Sequence, residues 1–180
     1  MRKIPTMFVR DEAAKGHPVT AQVKPECQWV LDGEGIATIK VDGTNVKIKA
    51  GQLLKRQKPA ERDYDDAAYV PCDRSNPADK WAYEAFDALA HRDDAIYELI
   101  GPKVQGNPQK VRSHQLIRVV PPLPTLIIAA LGADYKDQIV RTFDGLRAYF
   151  QSHEVEGLVF HHPDGRLAKI KRRDFGLAWG

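Results

Sequence analysis

Apolar and polar residues alternate along the chain in short stretches, broken by glycine, proline and charged clusters. One stretch, Gly35-Ile36-Ala37-Thr38-Ile39, ends on Lys40 and runs at once into a polar segment, Asp42-Gly43-Thr44-Asn45. Alternation with a period of two predicts a half-buried strand, and the Asp-Gly pair predicts a turn. Lys40 is therefore expected at a strand end, beside a glycine that would let a ligand approach the backbone. Val46 to Ala50 alternates again, and across Gly51 the run Gln52 to Arg56 reads as its hairpin partner. Upstream, Thr6 to Val30 alternates weakly and is expected to form short strands joined by loops.

Lys58 to Ser75 is polar and irregular, and reads as a long loop. Asn76-Pro77 is a helix start, with Trp81, Ala85, Phe86 and Leu89 on one face as core. Ala95 to Gly101 reads as a strand with Glu98 inside it, and Gln115 to Val120 as another, ended by Pro121 and Pro122. Leu126 to Leu131 reads as a short helix. Asp134 to Ser152 reads as an amphipathic helix, with Ile139, Val140, Phe143, Leu146, Tyr149 and Phe150 at helical spacing. Glu156 to Phe160 and Leu167 to Lys171 then read as partner strands joined by a turn at Pro163-Asp164-Gly165. There is no repeat and no linker, so residues 1–180 are read as a single α+β domain rich in antiparallel strands.

Composition narrows this only a little. A hydrophobic fraction of 43% and a charged fraction of 28% are those of a soluble globular protein. The net charge of +3 is too small to indicate a nucleic-acid partner, so any basic footprint must be local. Cys27 and Cys72 form no CxxC pair and no metal spacing, and a reducing compartment is the expectation. The N-terminus, Met1-Arg2-Lys3-Ile4-Pro5, has no apolar segment after it, and the longest apolar run is too short to span a bilayer. A cytoplasmic protein without a membrane partner is expected.

Charged residues interrupt several predicted strands: Lys40, Glu98, Glu156, and the pair Lys169 and Lys171. Lys169 and Lys171 lie two apart, so a strand points both to one side and Ile170 to the other, into the core. A solvated sheet face accounts for each of these charges singly. A groove lined by cations and carboxylates accounts for them together. In such a groove the lysines suit phosphate groups and Glu156 suits a Mg²⁺ that neutralises phosphate oxygens. Glu98 would accept hydrogen bonds from ribose hydroxyls. These parts describe attack by a lysine on the α-phosphate of a nucleotide.

The same residues resemble the motifs of the covalent nucleotidyltransferases, a superfamily of RNA ligases, DNA ligases and mRNA capping enzymes. Lys40-Val41-Asp42-Gly43 resembles the KxDG nucleophile motif, and Lys55-Arg56 the basic element that follows it. Tyr97-Glu98-Leu99-Ile100-Gly101 resembles the strand whose glutamate binds the ribose. Glu156-Gly157-Leu158-Val159-Phe160 is similar to the motif whose glutamate serves the metal. Lys169-Ile170-Lys171 is similar to the KxK motif that contacts the α-phosphate. Their order along residues 40 to 171 matches the superfamily order. Lys40 to Asn45 and the segment Lys169 to Trp179 look most like small stand-alone ATP-dependent RNA ligases.

The resemblance implies an antiparallel-sheet adenylyltransferase (ATP-grasp-like) domain with flanking helices and no C-terminal oligonucleotide-binding fold. It implies ATP, held covalently as AMP on Lys40, and Mg²⁺ or Mn²⁺ at Glu156. It further implies an RNA partner with 5′-phosphate and 3′-hydroxyl ends, and a monomer. Lys40, Lys169 and Lys171 would be catalytic. Thr38, Ile39, Asn45, Arg56, Glu98, Lys169 and Lys171 would bind the nucleotide, with the backbone around Thr38 and Ile39 reading the base edge. Arg56, Arg172 and Arg173 would contact RNA phosphates, whereas Lys58 and Arg62 read as ordinary surface charge. A DNA ligase or a capping-type enzyme would share the lysine chemistry, and a non-catalytic nucleotide-binding or nucleic-acid-binding module is the alternative of another class.

Other motifs carry less. Asp174-Phe175-Gly176 spells a kinase metal motif, but the Gly-rich and HRD loops are missing, so it reads as chance. No Walker A sequence and no GxGxxG occur. His161-His162 lacks any accompanying zinc spacing and is expected at the surface or a groove edge.

Overall fold

The computed structural model describes residues 4–57, 69–119 and 139–179. Its elements, in chain order, are β1 (Phe8–Arg10), β2 (Val19–Val23), α1 (Gln28–Leu31), β3 (Ile36–Ile39), β4 (Thr44–Lys49), β5 (Gln52–Arg56), β6 (Tyr69–Pro71), α2 (Lys80–Asp87), β7 (Ala95–Ile100), β8 (Gln115–Arg118), α3 (Phe143–Ser152), β9 (Gly157–His161) and β10 (Leu167–Lys171). It is a mixed α/β structure of antiparallel sheets with few helices, and no helix among the described residues is long and apolar enough to cross a membrane. The chain divides into two compact units: residues 4–40 with 125–180, and residues 1–3 with 41–124. The boundary falls between Lys40 and Val41.

The first unit holds a three-stranded antiparallel sheet of order β10-β9-β3 and a separate ladder of β1 with β2. Inward residues alternate along the sheet: Ala37 on β3, Leu158 and Phe160 on β9, Ala168 and Ile170 on β10. They meet Leu146, Tyr149 and Phe150 of α3 and the aromatic ring of Phe8. Phe8, Phe143 and Phe175 contact edge-to-face, with centroids 5.2 to 6.5 Å apart, the arrangement their ring quadrupoles favour. Segment 5–7 lies along the outer edge of β10, where Met7 N–H donates to Lys169 O and Lys169 N–H donates to Pro5 O, each at 2.9 Å.

The second unit is a five-stranded antiparallel sheet of order β6-β5-β4-β7-β8, packed on α2. Val46, Ile48, Leu53, Tyr97, Leu99 and Leu116 face Ala85 and Phe86 in its core. The β4–β5 hairpin closes on Ala50 and Gly51, both at positive φ (49° and 73°), the geometry of a two-residue hairpin turn.

The predicted strands after residue 30 are present, but several boundaries move. Pro25–Cys27 and Gln28–Leu31 are helical rather than strand and loop; proline opens the turn and Trp29 and Val30 are buried. Thr44 and Asn45 belong to β4 rather than to a turn, and β3 and β4 lie in different sheets, so Asp42-Gly43 is a crossing and not a hairpin. Residues 69–71 form a strand within the stretch read as loop. The amphipathic helix starts at Phe143, because the Thr142 side chain accepts the Gly145 N–H and caps it, and residues 139–142 precede it. The expected helix over 126–131, the N-terminal part of the stretch 134–152 and the loop over 58–68 fall outside the described residues.

Gly101 is fixed by packing. A Cβ there would collide with the ring of His114 and sit 2.9 Å from its Cα. Gly101→Ala is expected to destabilise the protein by about 1–3 kcal/mol, the usual cost of overpacking, measured as a fall in urea midpoint; an unchanged midpoint would contradict this packing.

Candidate active site

The register of the three-stranded sheet decides which side chains meet. Lys171 pairs with Gly157, and Lys40 N–H donates to Gly157 O at 2.8 Å from the far side, so the two lysines flank a residue with no side chain. A Cβ at Gly157 would lie 2.5 Å from Ile170 O. One row further along the same face, Thr38, Val159 and Lys169 stand in register. Ile170 is fully buried on the opposite face, so the alternation places Lys169 and Lys171 on one side, as the spacing predicts, and the register of β3 with β9 brings Lys40 to that same side.

Glu156, at the entry to β9, sits between two cations. Its Oε2 is 2.6 Å from Lys40 Nζ and its Oε1 is 2.6 Å from Lys171 Nζ. The carboxylate is only 7% exposed, against 21% for Lys40 and 14% for Lys171. A carboxylate so buried requires this pairing. Two ammonium groups on one carboxylate leave the cluster with excess positive charge, which suits an anion.

The lysine strand is held from behind. Lys171 N–H donates to Asp174 Oδ2 at 2.9 Å, and Arg10 Nη2 lies 2.5 Å from Asp174 Oδ1. Asp174 is 1% exposed, Phe175 is core and Gly176 takes φ 73° to end the turn. Asp174-Phe175-Gly176 is thus a structural cap on β10.

Thr38 and Ile39 play different parts. The Lys40-to-Gly157 bond sets the ladder's phase, so Thr38 directs its main-chain groups at β9 and Ile39 directs its own away from it. The Thr38 hydroxyl donates to Val159 O at 3.2 Å and lies 3.0 Å from His161 Nε2. His161, expected at the surface or a groove edge, is instead 5% exposed. Its Nδ1 is buried without a hydrogen-bond partner, and burial pushes the imidazole pKa down to about 4. His162 lies nearer the surface, 2.6 Å from Glu34 and 2.7 Å from Asp164.

The five-stranded sheet aligns a second set. Asn45 pairs with Glu98 across β4 and β7, and Arg56 pairs with Tyr69 across β5 and β6. Continuing the β4–β5 register brings Asn45 beside Arg56, so Tyr69, Arg56, Asn45 and Glu98 form one row on the face opposite the core. Lys55 points to the other face, where Asp79 takes its ammonium at 2.7 and 2.8 Å. The Lys55-Arg56 pair is therefore split between the two faces. A Cβ on Gly43 would strike Leu99 O and approach Glu98 Cγ to 2.9 Å. The Gly43 of KVDG is thus required by β7 itself, where the sequence suggested room for a ligand.

Tyr69, His161 and the Arg10–Asp174 pair are the residues that sequence reasoning missed. Arg173 is exposed, as a phosphate contact would need. Arg172 instead clamps main-chain carbonyls: Nε donates to Ala178 O at 2.6 Å, and Nη1 to Phe150 O and to His153 O, the latter at 3.1 Å. Lys58 and Arg62 fall outside the described residues. Cys27 and Cys72 are free and buried, and burial pushes both thiols up to about 11.

Among the described residues, no group of three or more His, Cys, Asp or Glu is placed to hold a metal ion. One carboxylate, Glu156, is nonetheless what Mg²⁺ takes when substrate phosphates and waters complete its octahedron. The donor set fits a metal that arrives with a nucleotide, and does not fit an all-protein cage.

The family model for RNA ligase 1 matches residues 74–180. Zebrafish (Danio rerio) RNA ligase 1 is 37% identical over 92 residues, which are 51% of this chain and 27% of that protein. The chain thus spans about a quarter of the length of that curated relative. Among solved structures, a Naegleria gruberi RNA ligase mutant with ATP and Mn aligns over 80% of this chain and 52% of its own, at 16% identity and a TM-score of 0.34. The family match covers Glu98, Glu156, Lys169 and Lys171, and begins downstream of Lys40.

His161 yields a pH prediction. Its folded pKa of about 4 lies below the ordinary imidazole value of 6.5, so below pH 6.5 the unfolded chain binds the extra proton first. Stability is then complete above pH 6.5 and is lost as the pH falls toward 4, by at most about 3 kcal/mol. In urea titrations between these values, His161→Gln should flatten the acid limb; an unchanged limb would refute this origin.

Proposed function

The chain belongs to the RNA ligase 1 family, and from that premise we propose that it is an ATP-dependent RNA ligase with Lys40 as its nucleophile. The observation that carries this reading is the Glu156 carboxylate clasped by Lys40 and Lys171, each at 2.6 Å, on one face of the β10-β9-β3 sheet. A structural ion pair needs one lysine. Two lysines, with Lys169 one row away, support the reading of a phosphate site with a nucleophile at its rim.

In the proposed sequence Lys40 first passes an ammonium proton to solvent, while the Glu156 carboxylate in hydrogen-bond contact holds the Nζ in place. The Nζ then attacks the α-phosphorus of ATP. The N–P bond forms, the bond to the bridging oxygen breaks and pyrophosphate leaves, with Lys169 and Lys171 holding the phosphate oxygens. A Mg²⁺ or Mn²⁺ at Glu156 would supply charge neutralisation on those oxygens. The AMP next passes to an RNA 5′-phosphate, freeing Lys40. A 3′-hydroxyl then attacks the activated phosphate, the strand is sealed and AMP is released.

Ile39 would offer main-chain groups to the base, with Thr38 fixed behind it by His161. Glu98, Asn45 and Arg56 would serve the nucleotide, Glu98 by accepting from ribose hydroxyls. Arg56 and Arg173 would contact RNA phosphates, and Arg172 would do so only with the Nη2 that its carbonyl bonds do not use. The proposal takes residues 1–180 as one adenylyltransferase domain of nucleotidyltransferase fold, acting as a cytoplasmic monomer.

Intact mass after incubation with ATP and Mg²⁺ tests the chemistry. One added AMP is expected, and none in Lys40→Ala; no adduct under any divalent metal would leave the non-catalytic binding module as the better account. Lys169→Ala and Lys171→Ala should each slow adduct formation by at least about tenfold, the scale of a lost charge-assisted contact. Normal adenylylation in both would overturn the phosphate assignment. Joining assays on RNA and DNA ends of the same sequence then separate an RNA ligase from a DNA ligase, and labelled GTP in place of ATP separates both from a capping-type enzyme.

A further inference from the structure

Tyr69 was not among the residues expected at the site, yet it ends the row that contains Arg56, Asn45 and Glu98. Strand β5 lies between β6 and β4, so the strands carrying Tyr69 and Asn45 are about 9–10 Å apart. The tyrosine side chain bridges that gap. Its hydroxyl donates to Asn45 Oδ1, and Asn45 Nδ2 donates to Glu98 Oε2 at 3.4 Å. Lys47 Nζ lies over the face of the ring, 5.5 Å from its centroid.

The order of donors in this chain has one consistent solution. An ionised carboxylate only accepts, so Asn45 must turn its amino group toward Glu98. That leaves the amide oxygen toward β6, where it needs a donor, and the phenol supplies one. Without the hydroxyl the amide oxygen loses its partner, and a turned amide would set Oδ1 against the Glu98 carboxylate.

We propose that Tyr69 is a positioning residue: it fixes the Asn45 amide and, through it, the rotamer of Glu98 that receives the nucleotide's sugar. This rests on the reading of Glu98 as the ribose acceptor. It assigns to a residue outside the sequence motifs the task of fixing how the Glu98 carboxylate is turned, through the Asn45 amide that donates to its Oε2.

Tyr69→Phe keeps the ring that Lys47 faces and removes the hydroxyl. In single-turnover adenylylation of the full chain, its half-saturating ATP concentration should rise about threefold to tenfold, the scale of one hydrogen bond, with the maximal rate within about twofold of the parent. With 2′,3′-dideoxy-ATP, which offers no sugar hydroxyl, parent and variant should saturate alike. In a Glu98→Ala background, Tyr69→Phe should add nothing further. Equal shifts with ATP and the dideoxy nucleotide, or no shift with either, would overturn the proposal while leaving the ligase reading intact. Failure of the unmutated chain to form any adduct would overturn both. Should Tyr69→Phe lower the unfolding midpoint, the Glu98→Ala background decides, since a merely structural loss would persist there.

Discussion

The charge on Glu156 constrains everything around it. A carboxylate with 7% of its side chain exposed cannot remain ionised without partners, and it has taken two. Each lysine supplies one charge-assisted hydrogen bond, and each is delivered by a different strand on either side of Gly157. That geometry needs a residue without a side chain between the lysines, a ladder on both edges of β9, and a β10 whose end cannot fray. Gly157 meets the first need. The pairing of β9 with β3 and β10 meets the second. The Arg10–Asp174 pair, with the buried Asp174 carboxylate accepting the Lys171 N–H, meets the third. Removing Glu156 alone would leave two close ammonium groups without the carboxylate that they share. The same excess of positive charge that opposes such a cluster suits it to an anion.

Period-two alternation was the most legible signal, because a strand buried on one face must write its parity into the sequence. It correctly separated Ile170 from Lys169 and Lys171, placed Glu98 inside β7, and set Lys40 at the end of β3. Parity also explains why Lys55 and Arg56, adjacent in sequence, part company: one meets buried Asp79 and the other joins the open row. What was not legible lies where partners are distant in sequence. Tyr69 belongs to a strand of three residues in a polar stretch, too short to show alternation, and its hydroxyl is meaningful only beside Asn45. His161 continues a strand past its last apolar residue and is buried on the same face as the lysines. The start of α3 was misplaced because Ile139 and Val140 keep helical spacing with Phe143. The Thr142 cap, three residues before Gly145, was the signal that would have corrected it.

Two glycines show how a motif can be right for a different reason. Gly43 in KVDG was expected to leave room for a ligand, and the structure fills that room with the Leu99 carbonyl and the Glu98 side chain. Gly101, after the strand that carries Glu98, makes way for the His114 ring, whose Nδ1 lies 2.9 Å from Glu84 Oε1. Both lie at the C-terminal end of β7, where Gly43 lets the chain before β4 approach Leu99 and Glu98 and Gly101 lets the chain leave past His114. A glycine in a motif can thus act one step removed from the chemistry, by letting two strands approach closely enough for their polar residues to share a row.

Core and site are in this sense one specification. Ala37, Leu158, Phe160, Ala168 and Ile170 fix the register of the three-stranded sheet because each must face α3 and the aromatic cluster. A slip of one residue in β10 would expose Ile170 and drive Lys169 and Lys171 toward Phe150. The lysines therefore need no mutual attraction to be aligned. Their excess charge is held on one face by apolar burial on the other, and electrostatic repulsion within the site is opposed by hydrophobic burial behind it. A site assembled in this way keeps like charges close without unfolding, because the apolar face behind the sheet fixes the register that brings them together.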